Sequence, residues 1–210
     1  MKFSVVREAL LKPLQLVAGV VERKQTMPVL ANVLLEVKDN ILTLTGSDLE
    51  VELVGHIALD ECQEGRITVP ARKLMDICKS LPDSAVIELT VDDTRAVIRS
   101  GRSRFTLSTL PADEFPNIQD MQGDLSVVVA QNSVRRLIER TGFAMANQDV
   151  RYYLNGMSIE SEGNEIRSVA TDGHRLAICK ISNESLALPA RQVIVPRKGI
   201  LEIIRLLAPV

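Results

Sequence analysis

Tryptophan is missing from this 210-residue chain, and aromatic residues make up only 3% of it. A surface that stacks unpaired bases on aromatic rings has little to be built from. Long apolar runs are absent too: the longest are short, such as VVVA at 127–130, against the roughly 20 residues of a membrane-spanning helix. The opening MKFSVVREALLKP carries charge through its first turns and has no signal-peptide centre. Cysteine is scarce and odd in number. Cys62, Cys78 and Cys179 form no CxxC pair and have no histidine at ligand spacing, so they read as reduced thiols in a cytosolic protein. Neither sign of charge dominates: 25 basic residues against 27 acidic ones give −2. That excludes a chain coated in positive charge, but not one that gathers its cations on a single surface. Nothing calls for a metal or a cofactor.

What remains is ordinary globular material, 46% hydrophobic and 25% charged, and long enough for two domains. Self-similarity organises it. FSVV at 3–6, followed by Leu10, Lys12 and Leu14, returns after 124 residues as VVVA at 127–130, followed by Val134, Arg136 and Ile138. Asp48 in TGSD returns as Asp172 in VATD at the same shift, and Asn32 pairs with Asn155 one residue closer. ITVPARKLMDICKSLP (67–82) returns as VIVPRKGILEIIRLLAP (193–209) at a shift of 126. Leu74, Ile77, Cys78 and Leu81 form the apolar stripe of a helix, and Ile200, Ile203, Ile204 and Leu207 repeat it. Arg72, Asp76 and Lys79 on the other face become Lys198, Glu202 and Arg205. Pro70 and Pro196 suit a helix start, and Pro82 and Pro209 a stop.

Each copy reads as strand, helix, several strands, then a second strand-to-helix step. Strands are expected at 33–37, 41–45, 50–58, 85–91, 96–100 and 103–108, and again at 152–160, 165–171, 176–181 and 192–195. Without regular βα alternation this is an α+β fold with largely antiparallel sheets. The connector is TLPADEFPNIQDMQGDL (109–125), which divides the chain into domains 1–120 and 121–210. The second copy lacks the three strands that follow the helix in the first, which leaves a core face uncovered and implies a longer parent.

Charge divides the same way. Helices expected at 7–18, 71–81, 132–143 and 197–207 hold 11 basic and 4 acidic residues; the rest of the chain holds 14 and 23. Helices accept Glu as readily as Lys or Arg, yet Glu is scarce in all four. A shared cationic helical surface facing a polyanion fits this pattern, binding phosphates without reading bases. Arg72, Lys73, Arg136, Arg197 and Lys198 are its candidates.

MKFSVVREALLKPLQ, TGSDLE, VPARK, VPRKG, SGRSRFTLSTLPADEFP, QDVRYYLNGM and ATDGHRLA together resemble the bacterial sliding clamps, the β subunit of DNA polymerase III. The likeness runs the whole length of the chain. It implies clamp domains with antiparallel sheets outside and two helices each inside, three to a subunit, in a head-to-tail homodimeric ring around duplex DNA in the cytoplasm. Such a ring is no enzyme. It tethers the replicative polymerase and recruits the clamp loader and repair proteins through a short hydrophobic peptide motif. By resemblance Lys24 with Arg23, Gln148, Tyr152 and Tyr153 approach DNA. Of the two tyrosines, neighbours in an expected strand, one should turn into the core.

Within ATDGHRLA, Asp172 and His174 have the spacing of an acid–base pair or of metal ligands, but no third ligand or nucleophile accompanies them and Asp48 has no matching histidine. The resemblance makes Leu154, Thr171, Gly173, His174, Arg175 and Leu176 the wall of the peptide pocket instead. In RSGRSRFTLSTL (99–110) the alternation by itself reads as an edge strand protected by charge. The resemblance makes it the subunit interface, with Lys73, Arg95, Arg102 and Arg104 supplying charge and Phe105 and Leu107 an apolar centre. Without a third domain that edge has no partner, so these 210 residues alone should be monomeric or associate abnormally. A hydrolase would lose activity on His174→Ala. A scaffold that binds only proteins would ignore reversal of Arg72, Arg136 and Lys198.

Overall fold

The computed structural model describes residues 1–21, 27–92, 94–116, 125–182 and 187–207. Arg23, Lys24 and Pro209 lie outside them. Contacts divide the chain into two compact units, Met1–Asp120 and Met121–Val210. The first runs through β1 (Lys2–Val6), α1 (Arg7–Val17), β2 (Asn32–Lys38), β3 (Ile41–Ser47), β4 (Glu52–Ala58), β5 (Cys62–Gln63), β6 (Gly65–Pro70), α2 (Ala71–Ser80), β7 (Val86–Asp92), β8 (Arg95–Ser100) and β9 (Ser103–Ser108). The second runs through α3 (Gln131–Thr141), β10 (Gly156–Gly163), β11 (Glu165–Thr171), β12 (Leu176–Ser182), β13 (Leu188–Pro196) and α4 (Arg197–Leu206). The fold is α+β, and every strand pairing is antiparallel.

One sheet of the first unit has the order β4-β3-β2-β6, and the sheet of the second has β12-β11-β10-β13, the same topology strand for strand. Register carries the repeat down to single residues. Leu35 faces Ile67 and Leu42 faces Ile57; at shifts of 124 and 126, Ile159 faces Val193 and Ile166 faces Ile181. One expected match moves. Asn32 faces Pro70, but Gly156 faces Pro196, so Gly156 rather than Asn155 is the equivalent of Asn32. A β-carbon at Gly156 would stand 2.6 Å from the Val195 carbonyl oxygen, which leaves no room for a side chain there.

The first unit adds a second sheet, β5-β1-β7-β8-β9. Phe3, Ile87, Leu89, Ile98 and Leu107 from it join Leu10, Leu14, Leu35, Leu44 and Leu74 in one buried core. The described residues of the second unit contain no counterpart to this sheet, and the consequence is visible position by position. Ile67 is 9% exposed, while its equivalent Val193 is 57% exposed. The same absence explains why 127–130 form no strand, against expectation: β1 is held by β5 and β7, and VVVA has no such partners among the described residues.

Pro70 and Pro196 precede the first helical residues and end the strands before them, so each strand passes straight into its helix. Helix α1 runs unbroken through Pro13, whose ring sits over Gly55; a β-carbon at Gly55 would come within 2.9 Å of it. Gly46 meets α1 one turn later, where the notional β-carbon stands 2.7 Å from both the Val17 carbonyl oxygen and Val17 Cγ1. Two glycines thus let α1 lie directly on β3 and β4.

Candidate functional site

The helix cations divide into two kinds. Lys12, Arg72, Lys73, Arg136 and Arg140 are exposed. Arg7 and Arg135 are not available: Arg7 caps the end of α2 at the Cys78 carbonyl (2.8 Å) and pairs with Asp83 (2.6 Å), and Arg135 reaches the Leu207 carbonyl (2.7 Å). Arg197, expected among the solvent-facing cations, is half-buried and donates to the Met145 carbonyl at 3.2 Å. Lys198 is half-buried as well. A cation at the first position of α4 is drawn to the carbonyls of the neighbouring loop, and charge alone does not predict which way it turns.

Strand β9 is the edge of the five-stranded sheet, and Arg99 and Arg104 face each other across β8 and β9. Arg95, Arg102 and Arg104 are exposed. Like charges directly opposite one another repel, so this edge is predisposed to an acidic neighbour. The expected apolar centre is corrected. Leu107 faces Ala96 on the inner side and is 6% exposed, a member of the unit's own core, and Phe105 opposite Ile98 is half-buried against that core.

The ATDGHRLA segment is a tight turn between β11 and β12. Asp172 Oδ1 accepts the amides of His174 (2.9 Å) and Arg175 (3.0 Å), and Oδ2 accepts Arg175 Nε (2.9 Å). The Thr171 hydroxyl donates to the Arg175 carbonyl (2.7 Å) and accepts the Gly173 amide (3.1 Å). Gly173 has φ +88, a conformation that glycine takes without strain. The His174 and Arg175 amides hold the Asp172 carboxyl below its usual range. Asp48 does the same work in the first copy, accepting the amides of Glu50 (3.0 Å) and Val51 (2.8 Å). In both copies the aspartate is a turn-former.

An open cavity of about 430 Å³ lies beside this turn, lined by Phe143, Met145, Asp149, His174, Arg175 and Arg197 among others. The Arg175 guanidinium stands 5.6 Å from the centre of the Phe143 ring. Of the six expected wall residues, His174 and Arg175 line the cavity. Thr171 and Gly173 shape the turn, Leu176 is exposed at the start of β12, and Leu154 is half-buried with its carbonyl accepting the Ala146 amide (3.0 Å). Gln148 and Arg197, expected to approach DNA, are also among the residues that line this cavity. Phe143 and Met145 have no motif to announce them, and Asp149 stands inside QDVRYYLNGM without a role of its own in the expected site.

Tyr152 and Tyr153 lie on a 3-10 turn (Tyr152–Leu154) before β10, not inside a strand. Both are exposed, at 83% and 51%, with their rings edge to face, so neither packs into the core as expected of a strand pair. Their loop is tied down from within. Asp149 donates its amide to Asn155 Oδ1 (2.9 Å), and Asn155 Nδ2 returns a bond to the Asp149 carbonyl (2.8 Å). Both Asp149 oxygens accept the Arg151 guanidinium, at 3.0 and 2.9 Å, and Oδ1 also accepts the Arg151 amide (2.8 Å). The Arg151 side chain and then its amide pull the Asp149 carboxyl down to about 2. A depressed carboxyl keeps its charged partner above its ordinary value and releases it only as pH falls through the lowered one. NMR signals of the Arg151 amide and Nε should therefore hold their places as pH passes 3.8 and move only toward about 2. Movement already at 3.8 contradicts the pair.

Comparison with known proteins places all of these residues in one family setting. Residues 1–119 match the family described as DNA polymerase III beta subunit, N-terminal domain, and residues 128–209 match its central domain. A curated relative, the beta sliding clamp of Pseudomonas aeruginosa, is 62% identical over 208 residues, 99% of this chain and 57% of the relative. The crystal structure of the DNA polymerase III subunit beta from Pseudomonas aeruginosa superposes with a TM-score of 0.95 at 60% identity, covering 99% of this chain and 57% of that one. A second structure of that clamp, bound to griselimycin, gives 0.93 at 61% identity and covers 99% and 56%. The chain thus spans a little over half the length of the relatives it matches.

Proposed function

This chain belongs to the DNA polymerase III beta subunit family, the beta sliding clamps, and from that membership we propose that it is part of a replication clamp in the cytoplasm. The clamp encircles duplex DNA as a head-to-tail homodimer, tethers the replicative polymerase and recruits the clamp loader and repair proteins. The two units are read as its first domain (1–120) and part of its second (121–210).

The observation that carries this reading is the recurrence of exposed cations at equivalent helix positions, Lys12 with Arg136 at a shift of 124. A protein that slides needs many weak phosphate contacts and no base contacts, and repeated units supply the same contact again at each step. Arg72, Lys73, Arg136, Gln148, Tyr152 and Tyr153 are assigned to DNA, with Arg23, Lys24, Arg197 and Lys198 beside them. The β9 edge, with Lys73, Arg95, Arg102 and Arg104, is assigned to the subunit interface, and Phe105 is its apolar contribution. His174 and Arg175, with Leu154, Thr171, Gly173 and Leu176 around them, are assigned to peptide docking.

No catalysis is assigned to Asp172 and His174. Both oxygens of Asp172 are occupied by the turn and by Arg175, which leaves no free carboxylate to pair with the imidazole. His174→Ala separates the readings. Capture of the replicative polymerase should fall about tenfold, while retention on DNA after loading stays as in wild type. Polymerase capture unchanged by the substitution would sink the docking assignment.

A further inference from the structure

Arg151 joins two surfaces that the proposed function uses for different ligands. It sits in the loop that carries Gln148, Tyr152 and Tyr153, and its guanidinium is fixed there by both oxygens of Asp149. The same group extends out of the loop. Nη2 lies 3.5 Å from the Asp172 carbonyl oxygen, and a β-carbon on Gly173 would stand 3.2 and 3.3 Å from Nη2 and Nη1. The fork therefore points its two Nη atoms at Gly173, where φ is positive, immediately before His174. Two features at this spot accommodate Arg151 as well as their own turns. Gly173 has no side chain where Arg151 lies, and the Asp149 carboxylate is saturated by a residue only two positions away.

The opposite end of the loop is anchored separately. The Asn155 carbonyl accepts the Arg197 amide (2.8 Å), and Arg197 Nη1 donates to the Met145 carbonyl (3.2 Å). Asp149 is bonded to Asn155 as well, so a displacement of the tyrosine loop reaches Asp149, and through Arg151 the Asp172 turn. A bidentate guanidinium passes on such a displacement because its orientation is set by the carboxylate that grips it.

We infer that Arg151 is a positioning residue that locks the His174–Arg175 wall to the tyrosine loop, so that a ligand held at one surface alters the affinity of the other. This rests on the DNA and peptide assignments above for the identity of the two ligands. The lock itself is a matter of this chain's own contacts. Coupling of this kind is reciprocal and is commonly about tenfold in size.

Amide hydrogen exchange of the 210-residue chain, read by NMR in wild type, Arg151→Gln, Asp149→Asn and the double variant, tests it. Each single change should speed exchange at Gly173, His174 and Arg175 about tenfold, and the double should add nothing, because either change opens the same lock. Ser168 and Ala170 in β11 should keep their wild-type rates. Unchanged rates at His174 and Arg175 in Arg151→Gln would overturn the inference. So would additive effects of the two changes, or equal acceleration along β11, which marks a general loss of stability. Failure of the docking assignment looks different: polymerase capture that ignores His174→Ala, with these exchange rates unaffected.

Discussion

Reversing Lys12, Arg72 and Arg136 to glutamate should cut the affinity of this chain for a short blunt DNA duplex by about a hundredfold or more at moderate salt. All three side chains are exposed and have no ion-pair or hydrogen-bond partner among the described residues, so their removal costs the fold little. Each neutralised phosphate contributes about 0.9 to the slope of log affinity against log salt, so three lost contacts should flatten that slope by about 3. Sequence should not matter, because contacts of this kind carry no base information. Fluorescence anisotropy across a salt series measures both quantities. An unchanged slope would favour a scaffold that binds only proteins. Lys198 is left out of the set on structural grounds, since it is half-buried.

Gly46→Ala should destabilise the first unit by about 3 kcal/mol and lower its melting temperature by about 10 °C. The added methyl would lie 2.7 Å from the Val17 carbonyl oxygen, an atom of the α1 backbone that cannot turn aside as a side-chain end can. Relief requires α1 to move off β3, and α1 carries buried Leu10, Leu14 and Val17. Interiors packed to crystal density transmit such a shift rather than absorb it. Gly142→Ala is the control: its nearest neighbours are methionine methyl groups at 3.7 and 3.9 Å, ordinary contact, and φ is −57. That change should be neutral or stabilise by up to about 1 kcal/mol. Calorimetry of the two variants decides, and equal effects would refute the close approach of α1 to β3.

Several elements were legible because periodicity alone specifies them. Helices α1, α2 and α4 start on their expected first positions, where a strand runs into each apolar stripe, and α3 starts one residue early. Strand β9 has the expected ends, and the β2–β3 hairpin closes over Asp39 and Asn40, both at positive φ, as a two-residue turn of that composition allows. Other elements failed for identifiable reasons. VVVA at 127–130 has the pattern of a strand but no neighbour among the described residues to pair with, and pairing rather than propensity makes a strand. The expected strand at 152–160 starts late because Asn155 is spent on Asp149 and Arg197, bonds between residues that no local pattern brings together.

The site divides along the same line. By itself the sequence determined the duplication, the split of charge between helices and the remainder, and the break between strands 165–171 and 176–181 in which Asp172 lies. All of these are short-range or periodic properties, and a chain cannot bury an apolar stripe or close a turn without displaying them. Tertiary structure alone decided which cations are free and which are used up, putting Arg7 on Cys78, Arg135 on Leu207 and Arg197 on Met145. It also decided that Leu107 points inward and that Arg151 lies over Gly173. An arginine's partner is whichever carbonyl or carboxylate the fold delivers within hydrogen-bond reach, and between Arg7 and Cys78, or Arg135 and Leu207, that partner stands more than 70 residues away.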